Sequence, residues 1–547
     1  MSYIINEEPC LVKSGQGFSV SYKDKLLYSK YNPQKNIQTI IENINILEGT
    51  LILCISPVLE YGLEELAKKL PNNSLMLGCE IDEKLFDIAK KQSENLLCTK
   101  ENKFILLPPN EVFELPERLC KKRQNANGIP LPELGSFKRV IKIEFSAGFT
   151  FNKDFYENLF TACRNSISQF WKNRITLIKF GRRYSSNIFK NLSFLFEVQT
   201  LPKISKPILV CAAGESAWET LKYVKTIRNN ICLIVTDVLL PTLKDFNICA
   251  DFVICEESQQ IIAQAFTGCK NSFKTLICSL TSCPSLPKKR NAIFYLSMFC
   301  EANFLNKIKS NSIVKTQIPP LGSVGLSAIH LALLMRSSNS VPVFFSGMDF
   351  SFSLGKSHVK LSMHDKKRRS TSNRIHSFYF VANEWLKITG KDGNQVFSNK
   401  IMISYAELFE YMFAKSKNLF DCGKTGINLG IKQLSIEKIK EYFSDKNDKS
   451  LYSSEERLPN KNAIKMLEEE LSALIKLRNI LTGKEKIPQE SLEKTIMNIL
   501  KEREYLYLHF PDGYKPSCEK QFLNRVRIEI DYFIKVIKNS LNYAKTE

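Results

Sequence analysis

Pro207–Leu221, PILVCAAGESAWETL, runs from an apolar strand (Ile208–Val210) through a turn of small residues (Cys211–Ser216) into an amphipathic helix beginning near Ala217. A strand covered on both faces reads as a short unbroken apolar run, so the stretch predicts a parallel sheet flanked by helices. The small turn lets a ligand approach the backbone closely. Free N–H groups at a helix start, together with the positive end of the helix dipole, favour an anion, and phosphate is the usual occupant. Gly214, Glu215 and Ser216 are therefore the first candidate ligand-binding residues.

Downstream the same alternation continues. Ile231–Thr236 ends in Thr236 and Asp237, Phe252–Cys255 ends in Glu256 and Glu257, and Lys274–Cys278 and Ala292–Leu296 are further strands. A hydroxyl or carboxylate at the end of each early strand stands at the edge where open parallel sheets bind ligands. Gly322-Ser323 precedes a predicted helix, Val324–Met335, with Ser323 as its natural N-cap. His330 lies among apolar neighbours inside that helix and reads as a packed histidine. Val341–Ser346 is a buried strand followed by Gly347, Asp349 and a polar loop carrying Ser351, Lys356 and His358. A carboxylate beside an imidazole makes a general-base pair, the acid fixing the tautomer and stabilising the charged ring. Asp349 and His358 are the candidate catalytic residues. The basic run Lys366–Arg369, with Arg374, reads either as an anion clamp or as a solvated loop.

Upstream, Phe18–Tyr22 alternates as a strand before a turn at Lys23-Asp24. Thr50–Ser56 and Ser74–Glu80 read as buried strands, Leu63–Leu70 and Leu85–Lys91 as helices. That strand–helix–strand order suits a nucleotide-binding half-domain, with Glu80 where a ribose would sit. Its first turn, Ser56–Tyr61, has no glycine, so the backbone cannot approach a pyrophosphate, and the expectation is a Rossmann-like scaffold without a live site. Arg139–Glu144 and Arg174–Phe180 read as further strands with a helix, Asp154–Phe170, between them; Pro116–Phe137 reads as an insertion or loop.

The 547 residues carry 77 basic and 56 acidic side chains, a formal charge of +21, which suits an anionic partner. No aromatic-interleaved basic motif points to nucleic acid. The sixteen cysteines lie mostly in apolar strands (Cys54, Cys79, Cys211, Cys232, Cys249, Cys255) without a CxxC pair, as reduced, buried side chains do. MSYIINEEPC lacks a secretory pattern and no apolar run reaches the ~18 residues of a membrane helix, so a cytoplasmic protein that does not contact a membrane is expected. After about residue 426 the chain turns Lys/Glu-rich. Leu467, Leu471, Leu474 and Leu481, then Phe522, Val526, Ile530, Phe533 and Ile537, recur at helical steps on either side of a turn at Phe510–Gly513, predicting a helical hairpin or bundle.

The succession PILVCAAGES, a strand ending in Thr236-Asp237, ADFVICEE, GSVGLSAIHLALL and VFFSGMDFSFSLGKSH resembles the DUF115 family. That family takes in the 6-hydroxymethylpterin diphosphokinase MptE-like domain and the motility-associated (Maf) flagellin glycosyltransferases. The likeness is best over 201–425. Gly214-Glu215-Ser216-Ala217 stands where the family usually has Gly-Pro-Ser-Leu, and Glu256 where an Asp is common. The resemblance implies an α/β fold in three parts: a Rossmann-like domain over 1–200, a doubly wound, sialyltransferase-like catalytic domain over 201–425, and a helical domain over 426–547. It implies transfer of a nonulosonic acid from its CMP-activated form to Ser/Thr of flagellin without a required cofactor. Gly214, Glu215, Ser216, Thr236, Asp237, Glu256, Gly322, Ser323, Gly347, Ser351 and Lys356 would then hold the donor. His358, oriented by Asp349 or a neighbour, would be the base, and the C-terminal helices would serve acceptor or subunit contacts. Two alternatives stand beside it: pyrophosphoryl transfer from ATP to a pterin, with Mg held by Asp237, Glu256 and Asp349, and a non-catalytic flagellin-binding assembly factor.

Overall fold

A computed structural model of the chain describes residues 8–120, 130–196, 200–289, 292–375, 377, 385–443, 459–513 and 515–546. The extreme N-terminus, the middle of the Pro116–Phe137 insertion and Arg290 lie outside them. Internal contacts divide the chain into two units, Met1–Leu177 and Ile178–Glu547.

In the first unit, three short strands form an antiparallel meander: β1 (Cys10–Ser14), β2 (Gly17–Tyr22) and β3 (Lys25–Leu26), with Lys23 and Asp24 in the left-handed turn region. Four others make a parallel sheet. These are β4 (Thr50–Ile55), β5 (Leu75–Cys79), β6 (Phe104–Leu107) and β7 (Arg139–Glu144), in the order β6-β5-β4-β7. Every residue of β4 and β5 is buried, as their unbroken apolar runs require. Apolar clusters lie on both faces: Leu51, Leu53 and Tyr156 belong to one, Ile52, Cys54 and Leu66 to the other.

One expected strand is a helix. Arg174–Phe180 (RITLIKF) is the middle of a 40-residue helix, Lys153–Leu192. The β-branched apolar run reads locally as a strand, but helical sequence on both sides carries through it. Ile175 is left 63% exposed there, so the run is not the buried strand its composition suggests.

The second unit is built on eight strands: β8 (Ile208–Cys211), β9 (Cys232–Thr236), β10 (Ala250–Cys255), β11 (Phe273–Ser279), β12 (Ala292–Ser297), β13 (Gln317–Ile318) and β14 (Val343–Ser346), followed, after the separate antiparallel hairpin β15 (Leu386–Thr389) and β16 (Gln395–Ser398), by β17 (Leu419–Asp421). The sheet is parallel throughout, in the order β13-β12-β11-β10-β9-β8-β14-β17. The Val324–Met335 helix packs on it with Leu326, Ile329 and Met335 fully buried. The fold class read from the sequence, α/β with parallel, doubly wound sheets and a helical C-terminal region, is the one observed. That region contains helices Lys461–Leu481, Gln489–Lys501 and Lys520–Thr546.

The apolar stripes of these helices do not face outward. Leu467, Leu474, Phe522, Val526, Ile530, Phe533 and Ile537 are buried, and Glu470 accepts from Tyr505 Oη (2.9 Å) and pairs with Arg503. The stripe is core, so it is not the partner or subunit surface expected from the sequence. Of the cysteines expected in apolar strands, Cys54, Cys79, Cys211, Cys232 and Cys255 are buried thiols and Cys249, just before β10, is a half-buried one; Cys10 in β1 is an exposed thiol. Among the described residues no helix is long and apolar enough to cross a membrane.

Candidate functional site

The strand order of the large sheet reverses beside β8: β9 to β13 extend to one side, β14 and β17 to the other. In open α/β sheets the crevice at the carboxyl ends of two such strands is where ligands bind. The turn after β8 carries Gly214 and Ser216, and the turn after β14 carries Gly347 and Asp349. Four of the sequence-predicted residues are thus brought together although some 130 positions separate them.

The two turns are stitched to each other. Gly214 N–H donates to the Gly347 carbonyl (2.9 Å), Ala212 N–H to the Ser346 carbonyl (2.9 Å), and Gly347 N–H to Ser216 Oγ (2.9 Å). Gly347 has φ +77°, and a Cβ there would run into the Ala212 carbonyl, so only glycine fits. Ser216 donates through both its N–H (2.8 Å) and its Oγ to the Asp349 carboxylate. Burial pushes the Asp349 carboxyl up to about 6, against the pull of Ser216 and of Lys391 nearby.

This corrects two expectations. Asp349 does not orient His358, because its carboxylate is spent on Ser216. Nor is the start of the Ala217–Ile227 helix an open phosphate cradle. Asp349 takes the Ser216 amide, and the amides of Ala217 and Trp218 turn back to the Gly214 and Glu215 carbonyls (both 3.2 Å).

A buried cation supports this arrangement, and sequence reading missed it. Lys391, at the tip of the β15–β16 hairpin, pairs with Asp421 at the end of β17 (2.6 Å), each side chain only 3% exposed. A Cβ on Gly423 would stand 2.8 Å from Ser216 Oγ and 3.1 Å from Lys391 Nζ, which places the ion pair directly beside the Ser216–Asp349 contact. Ile427 N–H donates to the Asp349 carbonyl (2.9 Å). A lysine has no pattern that marks it as buried, and a three-residue strand gives no periodicity to read.

The loop leaving β14 lies over the first turn. Val359 N–H donates to the Ala213 carbonyl (2.8 Å), Lys356 pairs with Glu215 (2.8 Å), and Thr242 Oγ1 donates to the Lys360 carbonyl (3.0 Å). The Glu215 carboxylate in the turn is thus neutralised within the chain. His358 is held on this loop with Nδ1 3.2 Å from Ser357 Oγ, and its ring centroid is 4.4 Å from that of His364. Burial, then the neighbouring His364 and Arg368, push His358 down to about 4; burial also lowers His364. The basic run is helical, not a loop: Met363–Thr371 is capped by Ser362, Arg368 Nη1 donates to Ser357 Oγ (3.3 Å), and Arg369 pairs with Asp365 (2.9 Å).

The remaining candidates lie along the same sheet edge. Thr236 and Asp237 end β9; Asp237 is buried, accepts from Val238 N–H (2.8 Å), and burial raises it to about 7. Glu256 accepts from Tyr295 Oη (2.7 Å) and from Ser327 Oγ on the Val324–Met335 helix (2.8 Å), and is raised by burial. Ser323 occupies the N-cap position of that helix, but its side chain makes no capping bond. Gly322 lies against the Tyr405 ring, and Ser351 is buried just past β14. Asp237, Glu256 and Asp349 each keep to separate partners. Among the described residues no group of three or more His, Cys, Asp or Glu is arranged to hold a metal ion, so the trio does not fit the magnesium ligand set of the pterin alternative. His330 is half-buried in its helix and lowered by burial alone.

In the first unit, the corresponding crevice lies between β4 and β7. Glu80 accepts from Ser56 Oγ (2.5 Å), Tyr156 Oη (3.0 Å) and Asp82 N–H (2.9 Å), and Ser146 Oγ bonds Ser56 Oγ (3.0 Å). Glu80, Ser56 and Ser146 are all buried.

Residues 183–355 match the family model described as 6-hydroxymethylpterin diphosphokinase MptE-like. An uncharacterized protein of Treponema pallidum (strain Nichols) is 28% identical over 564 residues, covering 97% of this chain and 95% of the relative. Among solved structures, the Maf glycosyltransferase of Magnetospirillum magneticum AMB-1 superposes with a TM-score of 0.56 at 13% identity, covering 99% of this chain and 93% of that one. This last likeness speaks for the fold. The resemblance carried by the turns after β8 and β14 is thus the one the comparisons return, an MptE-like segment within a chain of Maf glycosyltransferase fold.

Proposed function

We propose that this chain is a glycosyltransferase that moves a nonulosonic acid from its CMP-activated donor to Ser/Thr hydroxyls of flagellin, with inversion and without a required metal. The observation that supports this best is the loop fixed over the crevice by Val359 N–H on the Ala213 carbonyl, which carries the His358 imidazole beside the switch-point turns. Arg368 and Nδ1–H both donate to Ser357 Oγ in this reading, so Nε2 keeps its lone pair. Nε2 takes the proton of the acceptor hydroxyl while that oxygen bonds the anomeric carbon and the anomeric C–O bond to the phosphate breaks, releasing CMP. The tight Gly214–Gly347 stitching gives a rigid floor, and Asp349 is its fastening, not a reacting group.

The test is intact-mass analysis of flagellin incubated with the purified chain and a CMP-nonulosonate. A gain of one sugar residue supports the reading. A gain of a diphosphate on hydroxymethylpterin, with ATP present and flagellin unchanged, would replace it by the pterin reading. Flagellin captured with neither product would mean an assembly factor.

A further inference from the structure

The helix start after β8 has its amides occupied, so an anionic ligand at this edge needs another source of positive charge. The Ser357–Arg368 segment supplies one. His358 and His364 face each other at 4.4 Å, Ser357 Oγ joins His358 to Arg368, and the segment is tied to the switch-point turn through Val359. We propose that His364 is the phosphate-binding partner of His358: the close, mutually tilted pair takes up one proton when a phosphate monoester docks, His364 carrying it toward the phosphate oxygens while His358 stays neutral. This rests on the transfer reading above only in identifying the monoester as the released CMP, the CMP-sugar donor being a phosphodiester.

The charge around the pair favours its uncharged form before a ligand docks. Arg368 faces His358 and Lys367 faces His364 from the helix; Asp365 opposes them at His358, and it is already bonded to Arg369 and to Leu361 N–H. On the loop, Lys356 is neutralised by Glu215. Asp237, on the turn Asp237–Leu239 packed against this helix, is buried and accepts from Val238 N–H. Two half-buried imidazoles at this separation hold a single proton as a unit, because a second would face the first charge at close range. A docked dianion reverses the local sign and draws that one proton in.

The test is calorimetric titration of the full chain with sulfate, a dianion that does not itself titrate here, and with CMP, at pH 6.5 in two buffers of different ionisation heat. The pair predicts uptake of about one proton per site. His364→Gln should abolish the uptake and weaken sulfate at least ~10-fold, the low range for a charge-assisted hydrogen bond. Arg368→Met, judged beside it for folding by circular dichroism, should weaken sulfate while retaining the uptake. Unchanged uptake in a folded His364→Gln chain overturns the proposal. Linked uptake without any sugar gain on flagellin would remove the transfer reading and leave the phosphate site standing. Full transfer by His364→Gln with no linked uptake in the wild type would do the reverse.

Discussion

The two parallel sheets solve one problem in opposite ways. Each has its order reversed beside its first strand, and each therefore opens a crevice at that point. Between β4 and β7 the crevice is filled with side chains: Ser56, Glu80, Ser146 and Tyr156 satisfy one another, and Ser56 holds a left-handed backbone (φ +51°) to do so. Between β8 and β14 the turns are stitched by backbone amides and small residues, and a chemically equipped loop is laid over them. Side-chain size goes with the difference. Tyr156 and Glu80 bond each other at the first crevice, whereas Ala212, Ala213, Gly214 and Gly347 leave the space above the turn to be occupied by the loop. The second crevice frames the reaction we propose.

The comparison breaks first at its buried charges. Lys391→Met would strand Asp421 in a dry site, and losing one partner of a buried pair typically costs about 3–5 kcal/mol. A large drop in the denaturation midpoint is expected, and a midpoint within a degree of wild type would mean that the pair is solvated. His358→Ala comes next: flagellin transfer at least ~10²-fold slower with CMP affinity retained, since a base acts in the transition state. Full activity in that variant would put the base elsewhere.

Glu80→Ala sharpens the contrast from the other side. It leaves Ser56 and Tyr156 without their acceptor, a loss of about 1–3 kcal/mol for a buried unsatisfied group. Stability should fall while transfer stays within a few-fold of wild type. A rate loss matching that of His358→Ala would show that the first crevice takes part in the chemistry.

The smallest effect is a pH dependence. His358 is held at about 4 in the folded chain against an ordinary value near 6.5, so in that window the unfolded chain binds more protons and the His358 contribution to stability grows as pH rises. Asp349, raised to about 6, acts in the opposite sense: its contribution is lost as pH rises from its ordinary range through 6. The stability difference between wild type and His358→Gln should therefore increase from pH 4 to 6.5 in urea titrations. A difference independent of pH would contradict the buried, neutral imidazole.

Much of this was legible in the chain. Unbroken apolar runs gave β4, β5 and β8 to β12, and Gly-rich turns with a following helix gave the Ala217 and Val324 helix starts. What stayed hidden depended on strand order. That β14 lies beside β8, and hence that Asp349 meets Ser216 and not His358, is a property of the assembled sheet, while sequence proximity favoured the histidine nine residues away. The Arg174–Phe180 run failed for a local reason, because β-branched residues look alike in a strand and in the middle of a long helix. Lys391 failed because a buried lysine carries the same letter as a solvated one.

The hairpin that brings Lys391, and the β17 segment that brings Asp421 and Gly423, both lie beyond residue 355, where the recognisable family segment ends. A fragment trimmed to that segment would keep Ser216 and Asp349 but expose their contact on the side that Gly423, the ion pair and Ile427 now cover. The inheritable module is therefore longer than its signature. Any transplant, chimera or domain swap between relatives would have to carry the chain at least through Ile427 for the switch-point turns to arrive intact.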